Sequence, residues 1–152
     1  MNHNEDENNK ILFLAEELEE KEELFRSIFE QSPIGILVGI HQKFYDVNPM
    51  AEKILGRTKK EIMSTPWQQY THKDDVQKEE ELFERLKARE IQNFSMDKRY
   101  IKPDGFIVWI RLTVSSLRVG DKSGLSFVCL IEDISQKIQA ENERMESERS
   151  KS

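Results

Sequence analysis

Apolar and polar residues follow two distinct patterns along this chain, and the first is helical. Between residues 11 and 28, positions three and four apart form one stripe with a single polar member: Ile11, Leu14, Leu18, Lys21, Phe25 and Ile28. This spacing is typical of a heptad seam. It predicts an amphipathic helix over residues 11–31, whereas residues 1–10 are polar and are predicted to form a disordered tail.

The predicted helix has two alternative roles. Glutamates occupy many of the positions outside the stripe, so the helix has little other apolar surface to bury. This favours a parallel coiled coil with a second copy of the chain, whose interface would consist of Leu14, Leu18, Phe25 and Ile28. The alternative is a single helix that packs on its own domain.

Strand patterns with a period of two replace the helical pattern after Pro33, because proline disfavours helical geometry in the residue before it. Two strand-like segments, "PIGILVGI" and "KFYDVN", come first, and "NFSMDKRYIK", "FIVWIRLTVSSLRV" and "GLSFVCLIED" follow later. Turns are predicted at residues 39–42, 103–105 and 120–124. Because the first strand pair is too small to be stable alone, we expect all five strands to form one antiparallel sheet.

Short helices separate the two groups of strands. Asn48 is a predicted N-cap, and Thr58 opens a capping box for the next helix. A charged helix over residues 76–89 carries an apolar stripe that includes Leu82 and Leu86. The predicted fold class is α+β: a five-stranded antiparallel sheet with short helices on one face, flanked by N- and C-terminal helices of the coiled-coil type.

Alternation within the long fourth strand predicts which side chains face the helices. Every second residue from Phe106 to Val114 is apolar. If a ligand pocket lies between sheet and helices, its predicted walls are Ile36, Val38, Leu82, Leu86, Ile110, Leu112 and Val114. The alternative is that these residues form a fully packed core without a ligand.

Trp109 lies on the opposite face of the same strand, where an uncovered indole ring would be unusual. The N-terminal helix is its natural cover, through Leu24, Phe25 or Phe29, either from the same chain or from a partner. Trp109 therefore joins the predicted dimer interface. The sequence predicts a homodimer through the N-terminal helix and the outer face of the sheet.

Composition and charge narrow the classes of partner. The chain has 152 residues, of which 37% are apolar and 34% charged, and the excess charge lies in residues 1–31 and 136–152, so residues 32–135 can form an ordinary domain. The net charge of −6 and the absence of a basic cluster argue against a nucleic-acid partner. The longest apolar run, "IGILVGI", is too short to span a bilayer, and the single Cys129 fits a reducing compartment. We expect a cytoplasmic protein without membrane insertion.

Catalytic chemistry has little support in the sequence. His72, Asp74 and Asp75 form a His/Asp cluster, but three ligands from one loop make a poor metal site. The simpler interpretation is that Asp74 or Asp75 caps the next helix. Hydrolase and phosphate-binding motifs are absent. The sequence therefore predicts neither an enzyme nor a metal site.

Five segments in order resemble a PAS domain, a sensory module common in bacterial signalling proteins. They are "FRSIFEQSPIGI", "FYDVNPMAEKILG", "THKDDV", "RYIKPDGFIVWIRLTVSSL" and "VCLIEDISQK". The resemblance covers about residues 24–138. Ser135 stands where the family more often has threonine, but it keeps the hydroxyl group.

The resemblance also bears on cofactors. Flavin-binding light sensors of the family carry an Asn-Cys-Arg motif in the helical region, where this chain has no cysteine. Haem-binding members use a histidine on the long helix, and "VQKEEELFERLKARE" contains none. Covalent flavin and haem are thus disfavoured, and the expectation is that no cofactor is bound. Non-covalent flavin or a small organic ligand stays open.

The junction with the C-terminal helix is the predicted output of the domain. Asp133 with Gln136 fits a capping arrangement, and an anion at a helix start complements the helix dipole. The resemblance implies that Asp133, Ile134 and Ser135 relay the signal from the sensor to the helix over residues 136–152. The predicted function is a sensory and dimerisation module that passes a ligand- or partner-dependent signal to an output domain or partner. The alternatives are a constitutive, ligand-free dimerisation scaffold and a cofactor-bound redox or light sensor.

Overall fold

A five-stranded antiparallel sheet with helices on one face is formed by residues 3–40, 43–118 and 124–150, the part of the chain that the computed structural model describes. The strands are β1 (Gly35–Ile40), β2 (Lys43–Val47), β3 (Asn93–Ile101), β4 (Ile107–Leu117) and β5 (Ser126–Asp133), in the spatial order β2-β1-β5-β4-β3. The predicted α+β fold class is confirmed. Of the turn predicted at 39–42, Gly39 and Ile40 belong to β1 instead, and residues 41–42 lie outside the described part, as do residues 120–123 of the turn predicted at 120–124.

Helices precede, connect and follow the strands in the predicted order along the chain. They are α1 (His3–Gln31), α2 (Pro49–Leu55), α3 (Lys59–Ser64), α4 (Lys73–Lys87) and α5 (Ser135–Ser150), with a 3₁₀ turn at Trp67–Tyr70. Both predicted caps are confirmed: the Asn48 side chain accepts a hydrogen bond from Ala51 N at 3.0 Å, and the Thr58 hydroxyl accepts one from Glu61 N at 3.2 Å. Gly56 ends α2 in the left-handed region, with φ at 65°.

The inner face of the sheet forms the core, and β4 contributes to it as predicted through Val108, Ile110, Leu112 and Val114. Phe106 does not belong to this face. It precedes β4 in the hairpin turn, where its side chain is 66% exposed. Strand alternation therefore begins one residue later than the sequence pattern suggests.

The prediction that Ile36 and Val38 face the interior is wrong. Both lie on the outer face of β1, and the inner positions belong to Gly35, Leu37 and Gly39. The two glycines make room for neighbouring side chains: a Cβ at Gly39 would overlap the ring of Phe127 on β5, and one at Gly35 would overlap Ile131 and approach Ala51. Close packing, rather than apolar character, thus determines which residues of β1 face inward.

The N-terminal helix begins at His3 instead of Ile11, so the prediction of a disordered tail is wrong for residues 3–10, which extend α1 by about two turns. Within α1 the buried residue is Phe29. The predicted seam residues Leu14, Leu18, Phe25 and Ile28 are each about 60% exposed. The seam is therefore unpartnered in the single chain.

Asn48 fixes the C-terminal end of α1 to the domain. Its side chain is fully buried; its amide donates hydrogen bonds to the carbonyls of Phe29 at 2.9 Å and Ile34 at 3.0 Å, and its oxygen accepts from Ile36 N at 2.8 Å. The cap of α2 thus also joins α1 and β1. None of the helices in the described residues combines the length and the apolar character that a bilayer span requires.

Candidate functional site

A cavity of about 240 Å³ opens between α4, the 3₁₀ turn and the edge of the sheet near β2. Aromatic rings form most of its wall: Trp67 stacks on Phe83 with ring centroids 6.0 Å apart, and Phe127 meets both Phe83 at 5.6 Å and Phe44 at 6.0 Å. Glu84 and Lys87 on α4 provide its charged groups. Such a lining suits a small apolar or aromatic molecule with one polar group.

The residues predicted to line a pocket lie elsewhere. Ile110, Leu112, Val114 and Leu86 are at most 2% exposed and pack within the core, and Leu82 packs against that core while half-buried. Ile36 and Val38 lie on the outer face of β1. In the described part of the chain, none of these seven residues borders the aromatic cavity. The cavity lies closer to β2 than predicted, because Gly39 admits the ring of Phe127 there.

Beside the cavity, a buried ion pair links β3 to α4. Lys98 is 0% exposed and lies on the inner face of β3, and its ammonium group contacts the carboxylate of Glu79, which is 3% exposed. It also donates a hydrogen bond to the hydroxyl of Thr71 at 3.0 Å. The rings of Tyr100 and Trp67 lie 4.2 and 5.1 Å from the ammonium nitrogen. Trp67 thus contacts both the ion pair and the cavity.

Burial controls the protonation of the groups in this cluster. Loss of solvation raises the pKa of Glu79 and lowers that of Lys98, while the attraction between them acts against both shifts. Burial likewise raises the pKa of the Tyr70 and Tyr100 hydroxyls and of the Cys129 thiol. Cys129 is therefore a protonated core residue and a poor nucleophile.

The start of α4 differs in detail from the prediction that Asp74 or Asp75 caps it. His72 is the N-cap, and its Nδ1 accepts a hydrogen bond from Asp74 N at 3.1 Å. Asp75 instead accepts hydrogen bonds from Arg99 at its backbone N (2.8 Å), Nε (3.0 Å) and Nη2 (2.9 Å). Partial burial raises the pKa of Asp75, but the hydrogen bonds and charge of Arg99 outweigh it, so the pKa lies below its usual range. In the residues described, no three His, Cys, Asp or Glu side chains come together as a metal site would require.

The junction between β5 and α5 is attached to the backbone of β4. Ile134 N donates to the carbonyl of Trp109 at 2.9 Å, and the Ser135 hydroxyl accepts from Trp109 N at 3.2 Å. Ile134 is 2% exposed, as a residue anchored to the core should be. The predicted cap with Gln136 is wrong in detail: Asp133 lies one residue too early and accepts from Ser135 N at 2.9 Å, so it closes a turn before the helix.

Trp109 is half-buried on the outer face of the sheet. Within the single chain it is covered by Arg99 and not by the N-terminal helix. The guanidinium of Arg99 lies 5.0 Å from its ring centroid. Leu24 and Phe25 of α1 are about 60% exposed, and Phe29 is buried near the end of α1, where the Asn48 amide binds its carbonyl oxygen. Cover of this face by the helix of a partner stays a prediction.

Lys98, and the pairing of Arg99 with Asp75, are the features that the sequence analysis missed. Lys98 occurs in phase with Phe94, Met96 and Tyr100, three apolar positions of β3, and this phase was the available signal that its side chain points inward. The partners Glu79 and Asp75 carried no comparable signal, because α4 contains many acidic residues and most of them face solvent.

Comparisons with known proteins agree with this architecture. The family described as the PAS domain matches residues 33–136. The probable diguanylate cyclase DgcE of Escherichia coli (strain K12) is 36% identical over 120 residues, which are 78% of this chain and 11% of that protein, so this chain spans only a small part of its length.

Two solved structures share the fold. The PAS domain of a protein from Colwellia psychrerythraea is 16% identical, with a TM-score of 0.63 and coverage of 75% of this chain and 97% of that one. A domain of a sensory box sensor histidine kinase/response regulator from Geobacter sulfurreducens is 18% identical, with a TM-score of 0.63 and coverage of 76% and 96%. Since the family match covers more than half of the chain, this protein belongs to the PAS domain family.

Proposed function

We propose that this PAS domain binds a small apolar or aromatic molecule in the cavity beside Trp67 and relays its presence through α5 to an output domain. The observation that carries the proposal is the attachment of the start of α5 to the backbone of Trp109, through Ile134 and Ser135. After this attachment, α5 leaves the domain with no buried residue between Ser135 and Ser150. A helix held only at its base suits a mechanical output.

The proposed ligand is smaller than a flavin. A volume of about 240 Å³ lies below the range of roughly 300–1,000 Å³ that drug-sized ligands occupy. The wall of Phe44, Trp67, Phe83 and Phe127 favours a flat or branched apolar body, and Glu84 and Lys87, which also line the cavity, supply polar contacts. Covalent flavin and haem remain disfavoured, because the sequence lacks the cysteine and histidine that such members use in the helical region.

We propose that α1 mediates a homodimer. Its seam is apolar and exposed along several turns, and exposed apolar surface of this length is costly in water. Pairing with a second copy buries Leu14, Leu18, Phe25 and Ile28 at once. On the outer face of the sheet, Ile36 and Leu130 are cross-strand neighbours and add apolar surface that is available to a partner helix.

The proposed output is cyclic-dinucleotide signalling. This rests on the similarity to a probable diguanylate cyclase, of which the matching region is 11%. A sensory domain next to a catalytic one would control its activity through α5, without catalytic residues of its own. We also propose a cytoplasmic location, which suits the single buried Cys129 and the net charge of −6.

A constitutive scaffold is the second candidate function. It is favoured by the dense packing of Ile110, Leu112 and Val114, all nearly inaccessible to solvent, which leaves the centre of the domain filled. In that case the ion pair of Lys98 and Glu79 would be a structural part of the core, and the cavity beside Trp67 would have no ligand.

An absorption spectrum of the purified protein, combined with mass spectrometry of the denatured sample, tests these alternatives. A co-purified compound without visible absorption supports the small-ligand proposal. A flavin spectrum overturns it in favour of a redox or light sensor. A colourless protein that carries no compound supports the scaffold, provided that a library of small aromatic molecules leaves the fluorescence of Trp67 unchanged in a Trp109→Phe variant, where Trp67 is the remaining tryptophan.

A further inference from the structure

A row of contacts crosses the sheet from the start of α4 to the start of α5. It begins at Asp75, whose two carboxylate oxygens hold the backbone and guanidinium of Arg99. It continues to Trp109, whose ring lies under that guanidinium. It ends at Ile134 and Ser135, which are hydrogen-bonded to the backbone of Trp109.

The strand register explains why this row is continuous. Arg99 and Trp109 are directly opposite each other on β3 and β4. The backbone groups of Arg99 point to the free edge of β3, where His72 N and the Asp75 carboxylate bind them. Arg99 and Trp109 therefore form a non-hydrogen-bonded pair, in which side chains lie close together. The backbone groups of Trp109 point the other way, towards α5.

We propose that Asp75 and Arg99 are positioning residues that couple the placement of α4 to the attachment of α5. The inference rests on the proposed sensory function, because α4 carries both Phe83 of the cavity and Glu79 of the buried ion pair. A shift of α4 that separates Asp75 from Arg99 releases the guanidinium from Trp109. Trp109, whose backbone holds the base of α5, then loses the contact of its ring with Arg99 on the outer face.

The chain provides a matched control on the same two strands. Asp97 and Arg111 form a carboxylate–guanidinium pair at 3.0 Å, two residues away from Arg99 and Trp109 along each strand. This pair also lies on the outer face, but it connects β3 to β4 without a hydrogen bond to α4. Its removal should weaken the sheet locally while leaving the row intact.

Amide hydrogen exchange measured by NMR on the full chain tests the coupling without any ligand. We expect Asp75→Asn and Arg99→Lys to speed exchange of the Ile134 and Ile138 amides by about fivefold or more, because local opening sets the exchange rate. We expect Asp97→Asn to leave both amides within about twofold of the wild-type rate. The amide of Leu37, on β1 between β2 and β5, reports on whether each variant keeps its fold.

Coupling must also act in the reverse direction, since linkage between two sites is reciprocal. Ser135→Ala should speed exchange of the His72 and Arg99 amides, which fix α4 to β3. The proposal is overturned if Asp75→Asn and Arg99→Lys free those two amides while Ile134 and Ile138 exchange at the wild-type rate. If Asp75→Asn does not fold, Arg99→Lys decides alone. If the coupling is overturned in this way, the test for a bound ligand is unaffected. If no ligand is found, the coupling can still be measured by hydrogen exchange.

Discussion

The hydroxyl of Ser135 accepts a hydrogen bond from the backbone N–H of Trp109 at 3.2 Å, at the point where a continuing strand would supply a carbonyl oxygen. The chain can therefore leave β5 and start a helix without abandoning the donor on β4. Ile134 N satisfies the carbonyl of Trp109 from the same turn. The connection between strand and helix consequently needs neither glycine nor proline.

Ser135→Ala should destabilise this connection. The substitution leaves Trp109 N without its acceptor, and we expect a loss of about 1 kcal/mol in the free energy of unfolding. Ser135→Thr keeps the hydroxyl and serves as the control. Urea denaturation followed by far-UV circular dichroism measures the loss; equal stability of all three proteins would show that the hydrogen bond contributes nothing.

Lys98→Met should be among the most destabilising single substitutions in the domain. It leaves the carboxylate of Glu79 buried without a partner, which costs about 3–5 kcal/mol in comparable cases. The double variant Lys98→Met with Glu79→Leu removes both charges and should recover much of the loss. Denaturant titrations of the two single variants and the double variant give the interaction energy, and simple additivity would contradict the pairing.

The attachment of α4 to β3 should weaken in acid. Because the pKa of Asp75 is lowered in the folded state, its contribution to stability is complete above the usual aspartate pKa of about 3.9. That contribution is lost as the pH falls through the lower, folded-state pKa. The gap in stability between wild type and Asp75→Asn should therefore narrow below about pH 4. Unfolding curves at a series of pH values test this, and a constant gap would exclude ionised Asp75 as its cause.

Leu18→Glu should disrupt the proposed dimer. Burial of one leucine contributes roughly 1.5–3 kcal/mol, and two copies are lost from the seam, so the dissociation constant should rise about a hundredfold or more. Leu12 is a matched control, because it is exposed to a similar extent as Leu18, 61% against 58%, but lies off the seam. Sedimentation velocity on Leu18→Glu and Leu12→Glu separates the two effects; equal weakening would contradict the seam.

Gly39→Ala should disturb the cavity wall. The added methyl group meets the Phe127 ring, and overpacking of this kind typically costs about 1–3 kcal/mol. Gly105→Ala is the comparison, because no atom lies near the added Cβ there and its cost comes from its backbone conformation, with φ at 88°. Thermal unfolding compares their stabilities, and the fluorescence of Trp67, measured in a Trp109→Phe background, reports on the cavity. An unchanged fluorescence in Gly39→Ala would show that displacement of the Phe127 ring does not alter the surroundings of Trp67.

Features that depend on neighbouring residues, such as helix caps, could be predicted from the sequence. Side-chain contacts between residues far apart in the chain could not. The capping roles of Asn48 and Thr58 can be predicted, because each side chain binds the backbone N–H only three residues further along the chain. Both predictions are confirmed. The orientation of β1 was reversed because Ile36 and Val38 are as apolar as core residues, whereas the inward Gly35 and Gly39 are selected by the bulk of side chains on another strand. The long-range pairs of Lys98 and Arg99 had no sequence signal that named Glu79 or Asp75 as partners.

The single buried side chain of Asn48 gives α1 the properties of a lever. A helix of 29 residues is about 43 Å long, and its base is fixed by the hydrogen bond from Asn48 to the carbonyl of Phe29. A rotation of about 5° at that base would displace the far end by about 4 Å, given the rise of a helix per residue. Small rearrangements around one amide group thus become movements as large as a side chain at the opposite end of α1.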